Sequence, residues 1–386
     1  MSALKGKAWR FVLLLGFVSL LSDMTYEGAR SITGPFLATL GATGAVIGFV
    51  SGLGELVGYG LRLISGYLSD VTKRYWAFTI FGYIVNLFSV PLLYFAGSWP
   101  FASSLIIAER VGKAIRTPAR DAMLSHAASQ LGRGWAFGVH EALDQVGALA
   151  GPLIVGLVLY LKGGYREAFA WLAVPAILAV TLLILSKLLY PTPRDLEVKV
   201  SSLSYDKLPK SFWLYLGAVS LIAFGYIDYP LLAMHAVKAK VISPSFIPFL
   251  YALAMGVDAV AALALGYLFD RFGLYTLALS ALISSLFAPL VFFGGLLSLL
   301  LGVSLWGIGM GAQESILRAV IGGMVSPERR GSAYGIFNSL YGVSWFMGSA
   351  LLGFLYDRSV ASMVAISVFA QILSIPLILY LAKGRR

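Results

Sequence analysis

Three ionisable side chains share one face of the first apolar segment. Asp23, Glu27 and Arg30 are spaced i, i+4, i+7, which stacks them along a helix, with Tyr26 beside them. A carboxylate there can carry a proton, and an arginine can pair with it or hold an anion. An internal salt bridge that only ties helices together is the alternative. Glu55, Tyr59 and Arg62 repeat the pattern in the second segment, either as a cavity wall or as a bridge to Glu27 and Arg30. The fourth segment is densest. Glu109, Lys113, Arg116 and Arg120 follow i, i+4, i+7, i+11, and Arg110 lies one step round. In the fifth, His140 and Asp144 are one turn apart, with Glu141 next to His140. An imidazole–carboxylate pair titrates near neutrality and suits proton transfer; a structural pairing of Asp144 with Arg110 or Lys113 is the alternative. Further on the charges thin out. Asp228 stands between Tyr226 and Tyr229, followed by Pro230, with His235 on the same face. Pro230 removes a helix hydrogen bond and is expected to break the helix there. Asp258 is alone in its segment, Glu314 is one turn from Arg318 beside Gln313, and Asn338, Tyr341 and Trp345 form a polar-aromatic face.

The elements carrying these groups must be membrane helices. The chain is 59% hydrophobic and 12% charged, with no cysteine. Soluble domains carry about twice that charge. The apolar runs are about 20 residues long, which suits helices and not barrel strands. Twelve helices are expected, at 9–39, 44–69, 75–97, 100–124, 134–160, 167–190, 211–236, 246–269, 274–294, 297–322, 331–356 and 361–382. The polar stretch 191–210 divides two six-helix bundles, 1–190 and 211–386. The net charge is +11. Its lysines and arginines fall mostly in short loops, an orientation signal and not a nucleic-acid surface. They put both termini and the linker in the cytoplasm of a multi-pass cell-membrane protein. The first apolar run is too long and too charged for a cleavable signal. Charge at mid-bilayer is costly, by a few kcal/mol or more per group, so each buried charge needs a reason.

The chain also repeats itself. Gly66-Tyr67-Leu68-Ser69-Asp70, followed by Lys73 and Arg74, returns as Gly266-Tyr267-Leu268-Phe269-Asp270 and Arg271. Arg133-Gly134-Trp135-Ala136-Phe137-Gly138 returns as Arg330-Gly331-Ser332-Ala333-Tyr334-Gly335. Such duplication fits a two-halved transporter. These loops resemble the signature between the second and third helices of the major facilitator superfamily, and the resemblance covers essentially the whole chain. Val71 and Thr72 depart from the pattern. Gly147-Ala148-Leu149-Ala150-Gly151-Pro152 resembles the fifth-helix signature of that superfamily's antiporters. The resemblance implies an all-α fold of two six-helix bundles. It also implies a cytoplasmic latch built from Gly66, Asp70, Lys73, Arg74, Arg133, Asp270, Arg271 and Arg330. Arg116 and Arg120 are expected to join it by pairing with Asp70 or Asp121. The expected third, sixth, ninth and twelfth helices lack charge in their middle thirds, as that fold's outer helices would.

No nucleotide-binding loop, zinc signature or catalytic triad is present, so the chain is not expected to be an enzyme or to hold a cofactor or resident metal. The function expected is secondary active transport by alternating access, as a monomer. The reading favoured is proton-coupled export of a small amphipathic or cationic compound. Asp23, Glu27, Asp144 and Asp228 would handle the proton or cation, and Tyr26, Tyr59, Tyr229 and Trp345 would stack on the substrate. Two alternatives stay open. One is a divalent-metal exporter using Asp23, Glu27, Asp228, His140 and His235. The other is a proton symporter of an organic anion using Arg30, Arg62 and Arg110.

Overall fold

The computed structural model describes residues 2–128, 131, 133–161, 163–192, 208–325 and 330–383. Every regular element among them is a helix. The first five spans are α1 (Ser2–Thr39), α2 (Gly44–Thr72), α3 (Tyr75–Leu92), α4 (Trp99–Ala128) and α5 (Arg133–Tyr160). The sixth is α6 (Tyr165–Trp171) with α7 (Ala173–Leu189), and the seventh is α8 (Lys210–Gly225) with α9 (Tyr229–Lys238). Then come α10 (Ile247–Phe272), α11 (Leu274–Ser285) with α12 (Phe287–Phe293), α13 (Leu296–Met324), α14 (Arg330–Arg358) and α15 (Val360–Lys383). Eleven of these spans are long and apolar enough to cross a membrane. The twelfth, α4, is 30 residues long and carries Glu109, Arg110, Lys113, Arg116, Arg120 and Asp121. Most of the expected linker, residues 193–207, lies outside the described residues.

Three spans are interrupted, each just before a proline. Leu172 separates α6 from α7 ahead of Pro175, Leu286 separates α11 from α12 ahead of Pro289, and residues 226–228 are non-helical ahead of Pro230. Proline cannot donate to the carbonyl four residues back, and its ring crowds that turn.

By contacts the chain divides into two compact units, residues 1–32 with 57–201, and residues 33–56 with 202–386. In lipid no hydrophobic force draws helices together, so close backbone approach through small residues must do it. In the first unit Gly82 and Gly112 bring α3 onto α4, where a Cβ on Gly82 would lie 2.6 Å from the Arg116 amide nitrogen. Gly147 and Gly151 bring α5 onto α1, where added Cβ atoms would overlap the carbonyl oxygens of Leu20 and Met24. A buried cluster including Phe11, Trp76, Tyr83 and Leu183 fills this unit, and Trp76 Nε1 donates to the Tyr190 carbonyl at 3.1 Å.

The second unit uses the same device. Gly307 faces the Ala254 carbonyl, bringing α13 onto α10, and Gly348 meets the Phe224 carbonyl, bringing α14 onto α8. The end of α1 and the first half of α2 belong here. Gly34 lies on the backbone of Pro230, and Gly44 and Gly48 lie against Gly353 of α14. Asp357 closes this seam: its two carboxylate oxygens accept from the amides of Gly44 at 2.9 Å and Ala45 at 2.8 Å. A carboxylate on the first amides of α2 is favoured by the helix dipole.

Candidate functional site

In the first unit, α1, α4 and α5 gather the charges. Tyr26 Oη donates to Asp23 Oδ1 at 2.5 Å, which the i, i+3 spacing on α1 permits. Asp23, Tyr26 and Glu27 are all buried. Lys113 Nζ lies 3.9 Å from the centroid of the Tyr26 ring, and Arg116 stacks on Tyr83 with Cζ 4.2 Å from that ring. Arg116 also reaches Tyr26, at 5.8 Å. Asp23 feels the charges of Lys113, Arg116 and Asp144, so the close α1–α5 contact brings two carboxylates into one field. His140 Nδ1 is 3.4 Å from Asp144 Oδ2. A second string of polar groups runs beside it. Asp121 holds Arg120 at 2.8 Å, Arg120 Nη1 donates to Ser19 Oγ at 2.9 Å, and Ser19 bonds Asp144.

Glu109 acts on Lys113 as well and has its own ties. Asn86 Nδ2 donates to its Oε1 at 2.7 Å, and Arg110 Nε is 3.2 Å from its Oε2. That triangle ties α3 to α4. Arg62 lies over Tyr59 at 5.3 Å, and Arg30 is half-buried. Ser19, Tyr83 and Asn86 were not among the residues expected from sequence. A polar residue on the inner face of an apolar span was the available signal for Ser19 and Asn86; Tyr83 had none.

In the second unit the interrupted span supplies the centre. Asp228 is 2% exposed. Its carboxylate accepts from Trp345 Nε1 at 2.9 Å and from Ser349 Oγ, both on α14. The freed backbone finds partners too. Trp306 Nε1 donates to the Ile227 carbonyl at 2.9 Å, Tyr226 Oη donates to the Trp306 carbonyl, and Leu231 N donates to the Asp228 carbonyl at 3.1 Å. Rings close around the break: Tyr226 and Tyr229 each lie 5.8 Å from Trp306, and Tyr229 lies 4.4 Å from Tyr251. Tyr341 Oη donates to Gln313 Oε1 at 2.5 Å. Asp258 is buried on α10, whereas Glu314 is exposed. Glu55, assigned by contacts to this unit, is half-buried. His235 Nδ1 is 3.1 Å from Tyr356 Oη of α14. Among the described residues no three His, Asp or Glu side chains converge as metal ligands.

The expected latch residues sit at helix ends. Asp70 is exposed and accepts from Tyr75 Oη at 3.0 Å. Gly66 packs on Pro118 of α4, where a Cβ would lie 3.4 Å from the proline ring. Lys73 has a positive φ of 59° at the turn, and Arg74 stands at the N-cap position of α3 without a side-chain cap bond. Asp270 and Arg271 are exposed at the end of α10. The side chains of Arg133, Arg330 and Arg318 lie outside the described residues.

The superfamily's sequence profile decides the family, matching residues 13–348 and again 211–386 as Major Facilitator Superfamily. The chain belongs to the major facilitator superfamily. An uncharacterized protein of Mycobacterium tuberculosis is 44% identical over 375 residues, covering 95% of this chain and 92% of the relative. An uncharacterized MFS-type transporter of Methanocaldococcus jannaschii is 28% identical over 358 residues, covering 90% and 89%. The fold is similar to crystal structures of the nucleoside transporter NupG, with TM-score 0.72 at 14% identity, covering 97% and 98% of the two chains. It is also similar to the peptide transporter POT, with TM-score 0.73 at 13% identity, covering 95% and 93%. A bacterial homolog of the lysosomal transporter Spinster gives TM-score 0.67 at 14% identity, covering 98% and 96%. At such identities the likeness speaks for the fold. This member of the superfamily is therefore an all-helical, multi-pass membrane protein of a transporter family, not of an enzyme family.

Proposed function

We propose that the chain is a proton-coupled secondary transporter of a small organic solute, with two six-helix halves that alternate access to the two faces of the cell membrane. The observation that carries the reading is the cluster of buried Asp23, Tyr26 and His140 with half-buried Lys113 and Asp144 on three helices. Membrane burial of charge is costly, and carboxylates near both cations and an imidazole are groups whose charge a proton can change. Proton binding at Asp23 alters the field on Lys113 and Arg116, and that change is the link to solute binding. Exposed Asp70 and Asp270 at helix ends support the latch role for the repeated loops.

Export by antiport is the second reading. It is favoured by the Gly147–Gly151 stripe, which seats α5 directly on α1 and places His140 and Asp144 beside Asp23. The stacking faces expected for an organic cation are engaged, however. Tyr26 lies under Lys113, Tyr59 under Arg62, and Tyr229 against Tyr251. The metal-export alternative finds no support in the described ligand geometry.

The test is purified protein in liposomes carrying a pH-sensitive dye, with solutes added in turn. Solute-dependent proton movement that Asp23→Asn abolishes supports the proposal. Solute flux with no proton movement at any pH refutes the coupling.

A further inference from the structure

The structure leaves one cation of α4 short of partners, beside a second that meets an aromatic ring. Arg116 is 1% exposed, yet its Nε and Nη1 donate to nothing. Its contacts are with ring faces, Tyr83 at 4.2 Å and Tyr26 at 5.8 Å. One turn back, Lys113 Nζ also meets Tyr26 by its ring face, and it feels the negative charges of Glu27, Asp23 and Glu109. The neighbouring cations differ: Arg110 is tied to Glu109 at 3.2 Å and Arg120 to Asp121 at 2.8 Å. A ring face offers a cation attraction of about 0.5–2 kcal/mol but takes no N–H hydrogen bond of ordinary strength. A sealed guanidinium with orphaned donors is expensive, by about 1–3 kcal/mol per group or more for a charge. Native proteins tolerate such a group where something else satisfies it.

We infer that Arg116 and Lys113 form the seat for an oxyanion on the transported solute, a carboxylate or a phosphate. The guanidinium supplies a planar fork that matches either group, and the ammonium supplies a point charge from the adjacent turn. Tyr26 stands between them, so the same ring that bonds Asp23 braces both cations. The Gly82–Gly112 contact fixes the register of α3 on α4 and so holds Tyr83 under the guanidinium. The inference rests on the transport reading, because it assigns the seat to solute; it selects the anionic class among the three expected from sequence.

Binding to the purified full-length protein tests it, with inorganic phosphate, succinate and benzoate as probes and tetraphenylphosphonium as the cationic control. At least one oxyanion is expected to bind, and phosphate against the carboxylates tells which source of the group is preferred. Arg116→Gln and Lys113→Gln are each expected to weaken that binding roughly ten- to a hundredfold, with Arg116→Lys in between. Tetraphenylphosphonium binding should not weaken in these variants. Thermal unfolding in the same detergent separates lost binding from lost fold; if Arg116→Gln does not fold, Lys113→Gln decides. No oxyanion binding up to about 10 mM, or equal binding in the folded variants, overturns the seat. Proton movement driven by tetraphenylphosphonium and by no oxyanion also overturns it while leaving proton coupling intact. Oxyanion binding that moves no proton upholds the seat and refutes the coupling.

Discussion

Asp23 and Asp228 lie midway along the first and seventh spans, and their surroundings are built from different chemistry. Asp23 sits on an uninterrupted helix, bonded by its own neighbour Tyr26, within the field of charged groups from α4 and α5. Asp228 sits at a helix break, bonded by the neutral donors Trp345 and Ser349 and walled by rings. The packing beneath the two is alike: α5 meets α1 through Gly147, and α14 meets α8 through Gly348. The lesson is that one packing device can carry either a cluster of charged side chains gathered from three helices or a carboxylate held by indole and hydroxyl donors at a helix break.

The largest expected effect would break this comparison outright. Asp23→Asn should cut proton-driven flux in liposomes by about a hundredfold, and Asp228→Asn by about tenfold or less. The reverse order would move the proton site to the second unit. Next comes packing. Gly147→Ala and Gly348→Ala should each destabilise the protein by about 3 kcal/mol, because the new methyl overlaps a backbone carbonyl that cannot swing away. Denaturant unfolding in detergent measures both; wild-type stability in either would mean the crossing is looser than these distances require.

Smaller effects sharpen the contrast. Ser349→Ala removes one donor to Asp228 and should lower stability by about 1–2 kcal/mol without abolishing flux. Flux as low as in Asp23→Asn would give the surroundings of Asp228 a part in the transport chemistry. Smallest is Asp357→Ala, which removes two amide bonds at the start of α2 and should lower stability by about 1 kcal/mol. Spin labels at Thr43 and Arg358, placed as single cysteines in this cysteine-free chain, should report a wider spread of distances in that variant. An unchanged spread would show that the glycine contacts alone hold the seam.

Much of the architecture could be read directly. Long apolar runs announced the spans, and Pro230 announced the break, because a missing N–H acts within its own helix. The Tyr26–Asp23 bond was within reach of helical spacing for the same reason. The π contacts of Arg116 were not. Its position on α4 led to the expectation of a pairing with Asp70 or Asp121, whereas the guanidinium lies over Tyr83, a residue of α3 that only the Gly82–Gly112 contact places there. Asp228 and Ser349 are 121 residues apart, and nothing local joins them.

The sequence by itself determined that this chain crosses the membrane many times, that the seventh span breaks ahead of Pro230, and which residues share a helix face. Those properties follow from the solvent the chain must enter and from hydrogen bonds within a few residues of one another. Only the tertiary structure decided which charges are paired, which rings brace them, and that Arg116 keeps two donors without partners. Those outcomes depend on the register between helices, set by backbone contacts at glycines far apart in the chain.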